Sequence, residues 1–263
     1  MLFVAGVVVV AILLGKNPMT LFAGLGATSA VLMLVFKDTI TGLAAGVRLT
    51  SNDMLHKGDW ITVKSVDANG IVEDMSLTTV KVRNFDNTIV TISPITLVNG
   101  SFQNWIGMQK SGGRRVKRVV YFDFRSVRLV DETLKRNLLA KHFATEDSFK
   151  LKESLQKAID KDIQEGKDIE DLKNPAALAP TNLQLYRKFM EKYLRQRPEV
   201  NTDLTLMVRH MEATQCGLPI EFYFFIKDKV WVNYEHILAD IMEHAYALAN
   251  EFGLKIYEQY PEQ

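Results

Sequence analysis

Residues 21–47 read LFAGLGATSAVLMLVFKDTITGLAAGV. No charge occurs before Lys37, and small residues recur at Ala23, Gly24, Gly26, Ala27, Ser29 and Ala30. Lipid tails are as apolar as leucine, so helices in a bilayer are held together by close backbone approach through residues of this size. The stretch therefore predicts a membrane helix that packs against copies of itself in a closed cyclic oligomer. A competing reading is a glycine-rich phosphate loop, which GLGATS resembles. No strand precedes it, however, and the lysine of a true phosphate loop is absent.

Ala23, Ala27, Ala30 and Leu34 are spaced to share one face of that helix and are the candidate pore-lining residues. Leu34 is the only bulky member, and a ring of leucines stops ions by expelling water from a narrow apolar constriction. Val31 or Val35 facing the axis is the alternative. Leu21, Phe22, Leu25, Leu32 and Phe36 lie mostly on the other side, toward lipid or neighbouring helices. Gly24 and Gly26 are candidates for helix packing. Lys37 and Asp38 interrupt the apolar run at the pore mouth, and Gly42 and Gly46 are places to bend. The expectation for residues 18–57 is a spanning helix that kinks and then lies along the membrane surface.

Upstream, residues 1–14 are unbroken apolar sequence before Gly15-Lys16-Asn17-Pro18. Fourteen helical residues reach about 21 Å, short of the roughly 30 Å hydrocarbon core. A signal peptide would have a basic start and a cleavage site soon after. The start here is Met-Leu-Phe, so 1–15 reads as a shortened membrane helix, missing residues upstream, in a hairpin with the next one. Arg48, His56, Lys57 and Lys64 follow the spanning stretch and only Lys16 precedes it, which places everything after residue 37 in the cytoplasm.

Downstream the period changes to two. Strands are expected at 60–63, 71–72, 77–82 and 88–92, with reversals at Asp67-Ala68-Asn69-Gly70 and Asn84-Phe85-Asp86-Asn87. Short strands so closely spaced suggest a small bent β barrel over 58–107; a hairpin pair in a larger sheet is the alternative. After a linker at Ser111-Gly112-Gly113, residues 114–263 read as an α+β domain. Its expected strands are 119–124, 204–211, 220–226 and 255–257, and its expected helices 131–142 and 233–252. A helical insert is expected at 143–200, with a charged amphipathic helix marked by Leu151, Leu155, Ile159 and Ile163 and a second helix over 181–197.

Composition narrows the function. The 263 residues are 47% hydrophobic and 24% charged, with 32 Lys and Arg against 31 Asp and Glu, so no strong net field attracts nucleic acid. The mean hydropathy of −0.02 hides how unevenly the apolar residues are spread. One cysteine, Cys216, excludes a disulfide framework and reads as a buried or incidental thiol. His236, Asp240 and His244 share a helix face at metal-ligand spacing, but on the side away from Ile237, Ile241, Leu248 and Phe252, so a solvated stripe is preferred to a metal site. No catalytic constellation stands out, and no enzyme activity or cofactor is expected. The basic run Arg114–Arg118 suits anionic lipid or RNA, yet more often marks a solvated strand edge.

The order of parts resembles the small-conductance mechanosensitive channel family. The residues that carry the likeness are KDTITGLAAGV, Gly58-Asp59-Trp60-Ile61, Gly70-Ile71-Val72, Leu77, Thr79 and Asp86. SFQNWIGM and SGGRRVKR, with the helical insert, look like the miniconductance branch. The chain departs from many members at Ser93-Pro94, where they have Pro-Asn, and at Lys37-Asp38, where they have an uncharged pair. The resemblance implies a pore helix, an Sm-like β barrel and a ferredoxin-like α+β domain. It also implies a homoheptamer of the bacterial inner membrane, multi-pass, with a cytoplasmic vestibule. Such a channel would open under membrane tension and pass ions or small solutes on hypo-osmotic shock, in contact with membrane lipid and without nucleic acid. A non-conducting membrane-anchored scaffold or an RNA-binding module is the alternative.

Overall fold

The computed structural model describes residues 2–150, 157, 161 and 179–259. Two compact units divide the chain, Met1–Gly107 and Met108–Gln263.

In the first unit, helix α1 (Leu2–Leu13) turns at Gly15, where φ is +61°, into helix α2 (Pro18–Ser51). The start of α2 follows from its sequence: Pro18 needs no amide donor in the first turn, and Asn17 Oδ1 accepts a hydrogen bond from Met19 N at 2.9 Å. Five antiparallel strands follow: β1 (Trp60–Val63), β2 (Ala68–Met75), β3 (Val80–Asn84), β4 (Ile89–Ile92) and β5 (Gln103–Asn104), in the order β4-β3-β2-β1-β5. A short helix, α3 (Pro94–Asn99), links the last two. Alternation decides the faces: Ile61, Val63, Ala68, Val72, Val80, Val82 and Ile92 point inward. Leu49, from the end of α2, completes this core with Leu55 and Leu97.

Lys37-Asp38, Gly42 and Gly46 do not interrupt α2, whose 34 residues run as one helix of about 51 Å. A helical glycine costs only about 1 kcal/mol relative to alanine, which neighbouring turns easily carry.

The second unit follows the short helix α4 (Ile106–Lys110) and contains strands β6 (Arg114–Phe122), β7 (Met207–His210) and β8 (Leu218–Ile226). The sheet is antiparallel, in the order β6-β8-β7. Helices α5 (Glu132–Ala140), α6 (Asn182–Gln196) and α7 (Trp231–Glu251) bury one side of it over Val116, Val120, Phe122, Ile220, Phe222, Phe224 and Ile226.

Three expectations change here. Strand β6 begins at Arg114, so the basic run is strand, with Val116 turned into the core. Residues 255–257 form only an isolated bridge between Ile256 and Phe122. The expected insert at 143–200 divides: its first helix, with Leu151, Leu155, Ile159 and Ile163, lies outside the described residues, while α6 is core rather than appendage. Leu183, Leu185, Tyr186, Met190 and Leu194 of α6 are all buried. A run of charges in the sequence just before this helix hides its core role from a compositional reading.

Asn182 anchors α6. It is fully buried, and its side chain uses all of its hydrogen-bonding capacity. Nδ2 donates to Ser126 O (2.9 Å) and Phe252 O (3.1 Å), while Oδ1 accepts from Arg128 N (3.0 Å) and Leu183 N (2.9 Å). The Ser111-Gly112-Gly113 segment is also held. Lys229 Nζ donates to Gln109 O and Ser111 O, and Asn201 Nδ2 donates to Gly112 O. A Cβ on Gly113 would press to 2.8 Å from Ile226 O.

Candidate functional site

Helix α2 is long and apolar enough to cross a membrane, and none of its most apolar 18-residue window is buried. Ala23, Ala27, Ala30 and Leu34 are all exposed, Leu34 at 73%. Val31 and Val35 are bare as well, so one copy of the chain does not distinguish them from Leu34. The opposite side of α2 is occupied: Leu21 and Leu25 close a groove with Gly6, Val7, Val10 and Leu14 of the α1 hairpin. At about 100° per residue, Leu21 and Leu25 point about 160° away from Ala23.

Gly24, Gly26 and Gly42 have nothing within 4 Å of where a Cβ would stand. Nothing among the described residues requires them to be glycine. Gly46 differs: a Cβ there would collide with the carbonyl oxygen of Leu77 and lie 3.1 Å from its Cα. Leu77 sits in a turn fastened by Ser76, whose Oγ accepts from Thr79 N (3.0 Å) while its amide donates to Thr79 O (2.8 Å). This turn grips α2 at Ala45 and Gly46, both buried, one turn before the buried Leu49. Sequence reading took Gly46 for a bend; it is a contact.

Thr28 and Thr41 donate their hydroxyls to carbonyls one turn back, at Gly24 and Lys37, and leave no polar hydrogen unsatisfied toward lipid. Lys37 and Asp38 are exposed and form no ion pair among the described residues. Beyond α2, the buried Asp59 secures the return path: Oδ2 accepts from His56 N (3.1 Å) and Asn104 Nδ2 (2.8 Å). Sequence reading missed an aromatic cluster here. Trp60 stacks on Trp105 with centroids 4.7 Å apart, and Phe85 meets Trp60 edge-on at 5.3 Å. The signal was present in the alternation of β1, which turns Trp60 and Thr62 away from the core.

The remaining candidates do not converge on chemistry. His236, Asp240 and His244 are exposed, and among the described residues no three metal-binding side chains cluster. His244 stacks on Tyr193 instead, at 5.8 Å. Cys216 is exposed rather than buried, in the 214–217 turn. In the second unit, burial raises the pKa of the Tyr186 phenol, which donates to Ala245 O at 2.6 Å.

Residues 38–107 match the family model for the β-domain of mechanosensitive ion channels. These residues therefore carry a β-domain similar to that of mechanosensitive ion channels. It is 33% identical over 90 residues to the small-conductance mechanosensitive channel MscMJ of Methanocaldococcus jannaschii, covering 34% of this chain and 25% of that one. To the large-conductance channel MscMJLR of the same organism it is 29% identical over 146 residues, covering 55% and 40%. The chain thus spans less than half the length of these relatives. Two solved structures share the fold. MSL1 of Arabidopsis thaliana matches with a TM-score of 0.63 at 11% identity, over 98% of this chain and 73% of that one. MscS of Helicobacter pylori in its closed state matches with a TM-score of 0.58 at 14% identity, over 95% and 74%.

Proposed function

We propose that this chain forms the pore and cytoplasmic part of a tension-gated ion channel. The observation that carries the reading is the sidedness of α2. One face is taken by α1, while the face of Ala23, Ala27, Ala30 and Leu34 has no partner among the described residues. Gly24 and Gly26 flank that face on either side with open space. In lipid this arrangement favours close approach of further copies.

In this reading the chain is a homoheptamer of the bacterial inner membrane, in the miniconductance branch, multi-pass and with both β-rich parts in the cytoplasm. The five-stranded sheet is the Sm-like barrel, and the second unit is a ferredoxin-like α+β domain that walls a vestibule. Ala23, Ala27 and Ala30 line the wide section of the pore, and Leu34 forms the apolar ring. Lys37 and Asp38 stand at the mouth. Permeating ions and membrane lipid are the partners. Membrane tension favours whichever state occupies more area, so stretching shifts the population toward the open form.

The test is recording from membrane patches of a host lacking its own tension-gated channels. The chain with its full membrane region should give pressure-activated openings. Leu34→Ser should wet the ring and lower the opening tension. Silent patches with normal surface expression would favour a non-conducting scaffold.

A further inference from the structure

Lys37 and Asp38 place opposite charges beyond a long uncharged section of α2, where neither forms an ion pair among the described residues. Adjacent residues on a helix do not face each other. Lys37 lies one turn from Met33, Leu34, Ile40 and Thr41, and Asp38 from Leu34, Val35, Thr41 and Gly42. None of these is charged. Pro18 to Lys37 spans about 30 Å of helix, so both side chains emerge where the hydrocarbon core ends.

Their directions are informative. At about 100° per residue, the pore face formed by Ala23, Ala27, Ala30 and Leu34 has a mean direction about 10° from Ala23. Lys37 then stands about 50° to one side of that mean and Asp38 about 50° to the other. In a ring of parallel helices, one side of every copy faces the next copy's opposite side, a head-to-tail contact that closes only as a ring. Adjacent helices 8–10 Å apart lie within reach of a lysine and an aspartate.

We propose that Lys37 of each copy pairs with Asp38 of the next, forming a closed ring of inter-copy ion pairs at the cytoplasmic end of the pore. The partner is a second copy of this chain. The inference rests on the proposed pore reading and deepens it: the charges lock neighbouring helices together instead of lining the pore as free charge. The mouth is then electrically neutral, and separating the helices to open it must break each pair or slide it.

The experiment uses the full chain, in lipid vesicles and with Cys216→Ser, so that the exposed native thiol does not interfere. Chains carrying Lys37→Cys are co-reconstituted with chains of different mass carrying Asp38→Cys, then oxidised. Mixed disulfide dimers should exceed either homodimer several-fold. Homodimers equal to or above the mixed species would overturn the pairing. A second measurement is the detergent resistance of the oligomer. Lys37→Asp and Asp38→Lys should each lower it by placing like charges between copies, and the two together should restore it. A double variant as weak as either single would also overturn the proposal. Amine-directed cross-linking of the unaltered chain separates the two levels of failure: oligomers without mixed disulfides sink the ion-pair ring alone, whereas monomers sink the pore reading and the ring together.

Discussion

Helix α2 buries three of its 34 residues, whereas α6 buries six of its 15. Both are regular, N-capped helices, so the difference lies in where their partners are. Helix α6 presents an apolar stripe that is buried in the core of its own unit, with Phe189 and Tyr193 half-buried at its edge. Helix α2 is apolar around most of its circumference, and the described residues cover only the α1 side and the last two turns. The contrast teaches how to read glycine and alanine here. Where the chain supplies the neighbour, as at Gly46, a small residue records a contact already visible. Where it does not, as at Gly24 and Gly26, the small residue leaves open space, which in the proposed channel a further copy would fill.

The largest break in that contrast should come from α6. Asn182→Ala strands two amides and two carbonyls inside the second unit, and should cost about 3–5 kcal/mol. Thermal unfolding of the detergent-solubilised chain checks this; a loss below 1 kcal/mol would mean water enters and replaces the amide. Next comes the docked end of α2. Leu49→Ala empties a fully buried site and should cost about 3 kcal/mol, while Leu34→Ala, on the bare section, should leave folding stability nearly unchanged.

A sharper comparison lies within α2, between two glycines one turn apart. Gly46→Ala forces a methyl group against the Leu77 carbonyl and should destabilise by about 1–3 kcal/mol. Gly42→Ala meets open space and should stabilise the helix by about 0.5–1 kcal/mol. Two changes of the same sign would dissolve the distinction between contact and bare glycines. The smallest effect concerns the cap of α5, beside α6. Asp131 Oδ1 accepts from Leu134 N at 2.7 Å, and this bond, with Arg128 alongside, holds the carboxyl below its usual 3.8. A lowered folded-state pKa contributes stability that is present above 3.8 and is lost as pH falls through the folded value. Melting curves of Asp131→Asn and the parent should therefore converge below that value and separate slightly at neutral pH.

Much of this was legible in the sequence because it was local. Period-two alternation found β1 and β4, though the expected reversal at 67–70 is mostly strand, 77–79 is a turn rather than strand, and β5 was not foreseen. Thr181 and Asp131 marked two helix starts, and the small-residue run marked α2. What failed to show was contact at a distance. Ala45 and Leu49 look like any other apolar residues of α2, since a uniformly apolar helix has no polar face to betray which side is docked. Glu221 gives a second case: it is fully buried in the central strand β8, bonded to Arg209 at 2.6 Å with Lys117 at 3.6 Å. Its partners come from the two flanking strands, one of them a hundred residues away, which no local pattern reveals. The face of α2 that would line a pore was readable as a periodicity, but among the described residues it is bare, so its partners are those of the proposed oligomer.

The pairing of β6 with β8 also sets a schedule. Arg114–Phe122 must find Leu218–Ile226, so β6 leaves the ribosome roughly a hundred residues ahead of its partner. At about 5–20 residues per second, that is a wait of about 5–20 s. Throughout it, Val116, Val120 and Phe122 belong to an unpaired strand, the kind of segment that recruits other nascent chains. Arg114, Arg115, Lys117 and Arg118 flank those apolar positions with like charge, and like-charged strands repel one another along an edge. The basic run that at first suggests an RNA or lipid contact thus lies where like charge opposes edge pairing, until β8 brings Glu221 beside Lys117.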